Sequence, residues 1–176
     1  TVQEKGETSY DAAGRPLRTV GTVQDVTAAH RIQEALRESE QKYRTLTETM
    51  KDVVWILDAE TRKFLYVSPS VEKLRGFAPE EILAGTMADS LEPGQMEKLA
   101  PLLRENAEKF RRGEITSDAF FTVELRQPRK HAPPVVTEAV CRFWRNAQTG
   151  RLELHGTTRD ITDRKHAEDE LRESRR

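Results

Sequence analysis

At 176 residues the chain is long enough for one ordinary domain with appendages, and its 36% hydrophobic content is diluted by charged segments at both ends. Lys and Arg total 29 against 30 Asp and Glu, interspersed for a net charge of −1, which excludes nucleic acid as the expected partner. A single cysteine, Cys141, excludes an intramolecular disulfide and fits a reducing, cytoplasmic setting, while no apolar run approaches the roughly 20 residues that cross a bilayer and the N-terminus lacks a signal-peptide layout.

Residues 1–27 read as a β-hairpin, with a turn from Asp11 to Arg15 and alternation at Leu17, Thr19, Gly21 and Val23. From Ala28 to Met50 there is no Gly or Pro, and Ile32, Leu36, Ser39, Tyr43, Leu46 and Met50 step by 4 and 3 alternately, a heptad seam with Thr27 as its expected N-cap. A solvated linker helix is the plainer reading; the regular spacing favours a two-stranded dimer seam through Ile32, Leu36, Tyr43 and Leu46. Val53 to Leu57 and Phe64 to Val67 then form a second hairpin.

Ser68 is the expected N-cap of a short helix with Pro69 at its first position and Gly76 at its end; a second runs from Pro79 to Gly85 without a side-chain cap, because Ala78 precedes it. After a loop from Thr86 to Pro93, Gly94 to Arg112 is helical, with a break or kink expected near Ala100 because of Pro101. Three strands, Ala119 to Arg126, Val135 to Arg145 and Leu152 to Ile161, form an antiparallel meander, and a helix follows from Asp163.

One signature occurs twice. Gly-Thr-x-x-Asp followed by Val or Ile and Thr leads into a charged helix ending Leu-Arg-Glu-Ser, at Gly21 to Ser39 and again at Gly156 to Ser174, 135 positions later at both ends. The chain therefore reads as the end of one module plus the whole of the next.

The blocks Val53-Val54-Trp55-Ile56-Leu57-Asp58, Phe64-Leu65-Tyr66-Val67-Ser68-Pro69-Ser70, Gly76-Phe77-x-Pro79-Glu80-Glu81-Ile82-Leu83-x-Gly85 and Gly156 to Lys165 resemble a PAS domain, the sensory module found in series in bacterial signalling proteins. The resemblance implies an α+β PAS fold: a five-stranded antiparallel sheet with short helices on one face, a cavity between them, and flanking linker helices. It divides the chain into the last hairpin of a preceding PAS domain (1–27), a coiled-coil linker (28–50), a PAS core (51–162) and an exit signalling helix (163–176). It further implies a sensor that binds a small organic ligand and relays its state through the helices, in a parent that is a histidine kinase or diguanylate cyclase. The alternative is a ligand-free module for dimerisation and relay.

The fragment has no phosphate-cradling glycine loop and no nucleophile constellation, so it is not expected to be an enzyme. Haem is disfavoured because His30, His131, His155 and His166 all lie outside the stretch between Ser70 and Gly113. A covalent flavin adduct on Cys141 is disfavoured because that residue sits in a strand pattern, whereas non-covalent flavin is left open. Candidate cavity residues are Trp55, Phe77, Met87, Phe121, Val123, Thr137 and Arg142. Alternation puts Thr137, Ala139, Cys141 and Phe143 on one face of their strand and Arg142 on the other without saying which faces inward.

Asp160, Ile161 and Thr162 form the joint with the exit helix, where Thr162 is expected to cap the first turn. In the resembling family the Asp anchors this junction and the sheet transmits changes in the cavity. Related domains have an Asp-Gly turn where this chain has Arg129-Lys130-His131-Ala132-Pro133-Pro134, which implies a stiffer, more open connection.

Overall fold

In the computed structural model, which describes residues 2–174, the polar N-terminal stretch pairs with itself: β1 (Val2–Tyr10) lies antiparallel to β2 (Pro16–Asp25). Asp11 closes the turn by accepting the Ala13 and Arg15 N–H groups on Oδ1. Helix α1 (Thr27–Thr49) follows, with its apolar stripe exposed: Ile32, Leu36, Tyr43 and Leu46 are 53–70% accessible. Thr27 is the first helical residue rather than the cap; Asp25 Oδ1 accepts the Thr27 N–H at 2.9 Å. The chain separates into two compact units, Thr1–Thr45 and Leu46–Arg176.

The second unit begins with β3 (Val53–Asp58) and β4 (Phe64–Val67), continues through α2 (Ser70–Arg75), α3 (Pro79–Ala84), a 3-10 turn at Ala88–Ser90 and α4 (Gln95–Arg111), and ends with β5 (Phe121–Gln127), β6 (Val135–Arg145), β7 (Leu152–Asp160) and α5 (Thr162–Glu173). The strands make one antiparallel sheet in the order β4-β3-β7-β6-β5. This is the α+β, five-stranded arrangement expected from the pattern of two strands, short helices and three strands.

One face of the sheet is dry. Val53, Trp55 and Leu57 of β3, Ala139, Cys141 and Phe143 of β6 and Leu152 and Leu154 of β7 form one cluster with Val71, Ile82, Leu99 and Ala107 of the helices. Burying a side chain such as Leu57 or Leu154, each 1% exposed, contributes about 1.5–3 kcal/mol. The same packing carries α4 through Pro101 without interruption: Leu99 and Ala107 are buried on either side of it, so the expected break is absent.

Ser68 is not a helix cap. Its Oγ accepts the Val54 N–H at 2.8 Å and bonds with Ser70 Oγ at 2.7 Å, tying β4 to β3, and α2 starts at Ser70 with Pro69 before it. Ala78 offers no side-chain oxygen, yet Glu81 Oε2 accepts the Ala78 N–H at 2.8 Å and closes the start of α3 from inside.

The repeated signature repeats its structure. Pairs from Val2↔Asp25 to Ser9↔Arg18 in β1–β2 have the same spacing as Thr137↔Asp160 to Trp144↔Glu153 in β6–β7, so Gly6↔Gly21 corresponds to Cys141↔Gly156. The turns correspond as well: Asn146 stands 135 positions after Asp11 and its Oδ1 accepts the Gln148 and Thr149 N–H groups.

A cavity beneath Trp55 and a joint at Asp160

The Gly of the signature has a steric purpose in the second copy. Trp55 lies opposite Gly156, and a Cβ at 156 would come within 2.3 Å of the indole. The indole N–H donates to Thr158 Oγ1 at 2.8 Å, and the ring meets Phe64 edge-on at 6.3 Å. Beneath Trp55 is a cavity of about 50 Å³, lined by apolar residues including Val53, Val67, Val71, Ile82 and Leu99, together with Met87, Arg75, Ser90, Gln127 and Thr158. That volume holds a few waters or a molecule of similar bulk.

Of the seven residues expected around a ligand, Trp55 and Met87 line this cavity. Phe77 stands outside it, its ring 5.3 Å from the Arg75 guanidinium and 5.8 Å from the Lys130 ammonium. Phe121 stacks on Phe143 at 5.8 Å, Val123 packs against the core, and the fully buried Thr137 hydroxyl donates to the Leu125 carbonyl at 3.2 Å. These three fill space.

Arg142 is a correction. Thr137, Ala139, Cys141 and Phe143 take the core face of β6, so Arg142 is on the outer face, 5.4 Å from the Phe120 ring and 5.2 Å from Trp144, where its Nη1 donates to the Ser117 carbonyl. Cys141 is buried among core side chains, and burial pushes its thiol up to about 12.

The arginine that does reach the cavity is Arg75, 4% exposed at the end of α2. Burial pushes its guanidinium down to about 10, and Nε donates to the Pro128 carbonyl at 3.0 Å. Its position had a signal in the sequence: Val71 is buried, and residue 75, four further on, shares its helix face.

Arg75 also grips the loop between β5 and β6, because its carbonyl accepts the Lys130 N–H at 2.9 Å. Lys130 Nζ pairs with Glu81 at 2.7 Å and, with the Ala78 N–H, holds that carboxyl below its ordinary range. Between these two anchors, Arg129 Nη2 donates to Asp160 Oδ2 at 3.1 Å. Asp160 Oδ1 in turn accepts the Thr162 N–H at 2.8 Å, as Asp25 does for Thr27.

The residue at the cap position of α5 is Ile161, so the expected cap at Thr162 is absent, and Asp160 holds the first helical amide instead; Thr162 Oγ1 is buried without a partner, as is Arg129 Nε. Ile161, 3% exposed, donates its N–H to the Val136 carbonyl. Beyond the joint α5 buries no side chain and rests on ion pairs, Arg164 with Glu138 at 3.0 Å and Lys165 with Glu124 at 2.8 Å.

The model of the PAS fold matches residues 41–161. The chain belongs to the PAS family. Similar solved structures include the PAS domain of an HTR-like protein from Haloarcula marismortui (17% identity, 75% of this chain and 99% of that chain, TM-score 0.60). Others are a sensory box histidine kinase/response regulator from Burkholderia thailandensis (22%, 76% and 95%, 0.55) and the N-terminal domain of a diguanylate cyclase with a PAS/PAC sensor from Marinobacter aquaeolei (18%, 66% and 100%, 0.51). At these identities they establish the fold alone. No curated protein matches. Among the described residues no helix is long and apolar enough to cross a membrane, and no group of His, Cys, Asp and Glu is arranged to hold a metal ion.

Proposed function

We propose that this PAS domain is the sensing and relay module of a larger cytoplasmic signalling protein, a histidine kinase or a diguanylate cyclase, in which occupancy of the Trp55 cavity sets the state of α5. The observation that carries this reading is the unbroken series of contacts from Arg75 in the cavity wall, through Pro128–Lys130, to Arg129, Asp160 and the first amide of α5. A ligand that moves Arg75 pulls on the loop whose next residue, Arg129, holds Asp160. The unpartnered Thr162 Oγ1 and Arg129 Nε favour a joint with a second arrangement in which these atoms find partners. Any ligand shifts the joint only by its difference in affinity for the two arrangements.

The shared register and turn chemistry support residues 1–27 as the last hairpin of a preceding PAS domain, with α1 as linker and dimer seam between modules and α5 as exit helix. Replacing Leu36 and Leu46 by Glu is expected to give monomers in sedimentation; unchanged dimers would move the interface elsewhere. The small cavity favours a second reading, a ligand-free module that only relays.

Native mass spectrometry of the purified chain, compared with its denatured mass, separates the two. A surplus mass lost on denaturation is the result expected of a sensor, and a clean apo dimer that of a pure relay. In the parent protein Asp160→Ala and Arg129→Ala are expected to uncouple output from stimulus with the domain still folded; unchanged coupling overturns the proposed route.

A further inference from the structure

Arg75 presents an imbalance that the relay leaves unresolved. Its guanidinium is almost wholly buried, yet among the described residues no carboxylate lies within ion-pair distance; it has a carbonyl on Nε and an aromatic ring at its side. A carbonyl does not neutralise a cation, and a buried charge without a counter-ion is costly to keep. Desolvation lowers its proton affinity but leaves it charged at neutral pH. The remaining donor atoms belong to a planar fork, the geometry that grips a carboxylate at two points.

Gln127 sits in the same wall, one residue before the Pro128 that Arg75 holds. Its Oε1 is buried and accepts nothing. The wall of the cavity, about 50 Å³ in volume, therefore combines a cation without an anion and an acceptor without a donor with a mostly apolar surround that also includes Ser90 and Thr158. A ligand that answers all three carries a carboxylate, a hydroxyl and very little carbon.

We propose that the Trp55 cavity binds a short hydroxycarboxylate, with its carboxylate on the Arg75 guanidinium and its hydroxyl donating to Gln127 Oε1. The inference rests on the sensor reading above and names its ligand class. Occupancy supplies the missing anion at the residue that anchors Pro128, so the ligand acts at the head of the route to Asp160. Size sets the upper limit: a cavity of about 50 Å³ favours the shortest acids, of two or three carbons, and excludes a nucleotide or an aromatic cofactor.

The test is calorimetric titration of the 176-residue chain with glycolate and lactate, beside acetate and propionate, which lack the hydroxyl, and glycolamide and lactamide, which lack the charge. Glycolate or lactate is expected to bind saturably, the matching plain acid about tenfold more weakly and the amide not measurably. Arg75→Gln is expected to weaken glycolate binding by about a hundredfold or more. Because Arg75→Gln also removes the contact with Pro128, Gln127→Glu provides the complementary variant. It would put a negative charge in the same wall as Arg75, so it is expected to raise the thermal midpoint of the free chain by offsetting the buried cation and, by repelling the ligand's carboxylate, to abolish glycolate binding.

Equal binding of acid and amide, or undiminished binding by either variant, overturns the proposal. Equal binding of glycolate and acetate overturns the role of Gln127. A surplus native mass with no response to any acid overturns the hydroxycarboxylate and leaves the sensor reading standing; no surplus mass and no response overturns both.

Discussion

The chain contains the same β-hairpin, turn and helix start twice, once bare in β1–β2–α1 and once embedded in β6–β7–α5. Register, Asx turn and Asp-to-Thr hydrogen bond are alike in both, while β2 has no residue even partly buried and Leu152, Leu154 and Thr158 of β7 are all buried. Pairing and capping are thus local properties of about 30 residues, written in turn and cap chemistry, whereas burial belongs to the domain that surrounds them. Leu17, Val23 and Gly21 stand in β2 where Leu152, Thr158 and Gly156 stand in β7, each 135 positions earlier, a core face without its core.

The largest contrast is expected at the two glycines. Gly156→Ala drives a methyl into Trp55 and is expected to cost about 3 kcal/mol or more, by thermal or denaturant unfolding. At Gly21 the nearest atom to an added Cβ is the Lys5 carbonyl oxygen at 3.1 Å and no ring lies across it, so Gly21→Ala is expected to leave the main unfolding transition in place. Equal losses at the two positions would mean that the bare hairpin is stabilised in a way its exposure does not reveal.

The joints come next. Asp160→Ala removes the acceptor of the first amide of α5 and the Arg129 pair and is expected to cost about 1 kcal/mol of domain stability. Asp25→Ala is expected to free only the first amides of α1 in hydrogen exchange, with the transition of the second unit unmoved. A shift of that transition would show that the two units are energetically coupled.

The two hairpin turns differ in their acid dependence. The Thr61 N–H first, with the Glu60 N–H, holds the Asp58 carboxyl below its ordinary 3.8 against the opposing effect of burial. Its stabilisation is complete above that value and is lost as pH falls below 3.8 through the depressed one. Asp11 is lowered chiefly by the Arg15 N–H, but in an exposed turn. Asp58→Asn is therefore expected to flatten stability against pH below about 4, and Asp11→Asn to leave the curve as it was.

The smallest effect is on reactivity. With its thiol pushed up to about 12 in a buried site, Cys141 is expected to resist thiol reagents until the domain unfolds. A cysteine placed at the corresponding exposed position, by Gly6→Cys in a Cys141→Ala background, is expected to react at once.

The succession of strands and helices along the chain, the heptad stripe and the duplication were legible because each is a local pattern of spacing. Two kinds of feature were not. Alternation divides β6 correctly into two faces but is symmetric between them, so Arg142 passed for a cavity residue although its outer position depends on where α2 to α4 pack. Arg75 is legible only in its spacing, four from Val71; a basic residue in the last turn of a short helix is also ordinary helix chemistry, and the packing of α2 is what turns it into a buried charge. The Arg129–Pro134 departure from an Asp-Gly turn was visible as a departure, but its contacts with Arg75 and Asp160 join residues far apart in the chain.

The identical start of both helices has an evolutionary corollary. A crossover between the two copies of the signature would remove or insert 135 residues, and the product would still read Asp, an aliphatic residue, Thr and a helix, with the hydrogen bond from Thr N–H to Asp intact. A gene with such a duplication can gain or lose a whole copy of the repeated unit in one recombination event, because the splice falls where the backbone geometry is already the same on both sides.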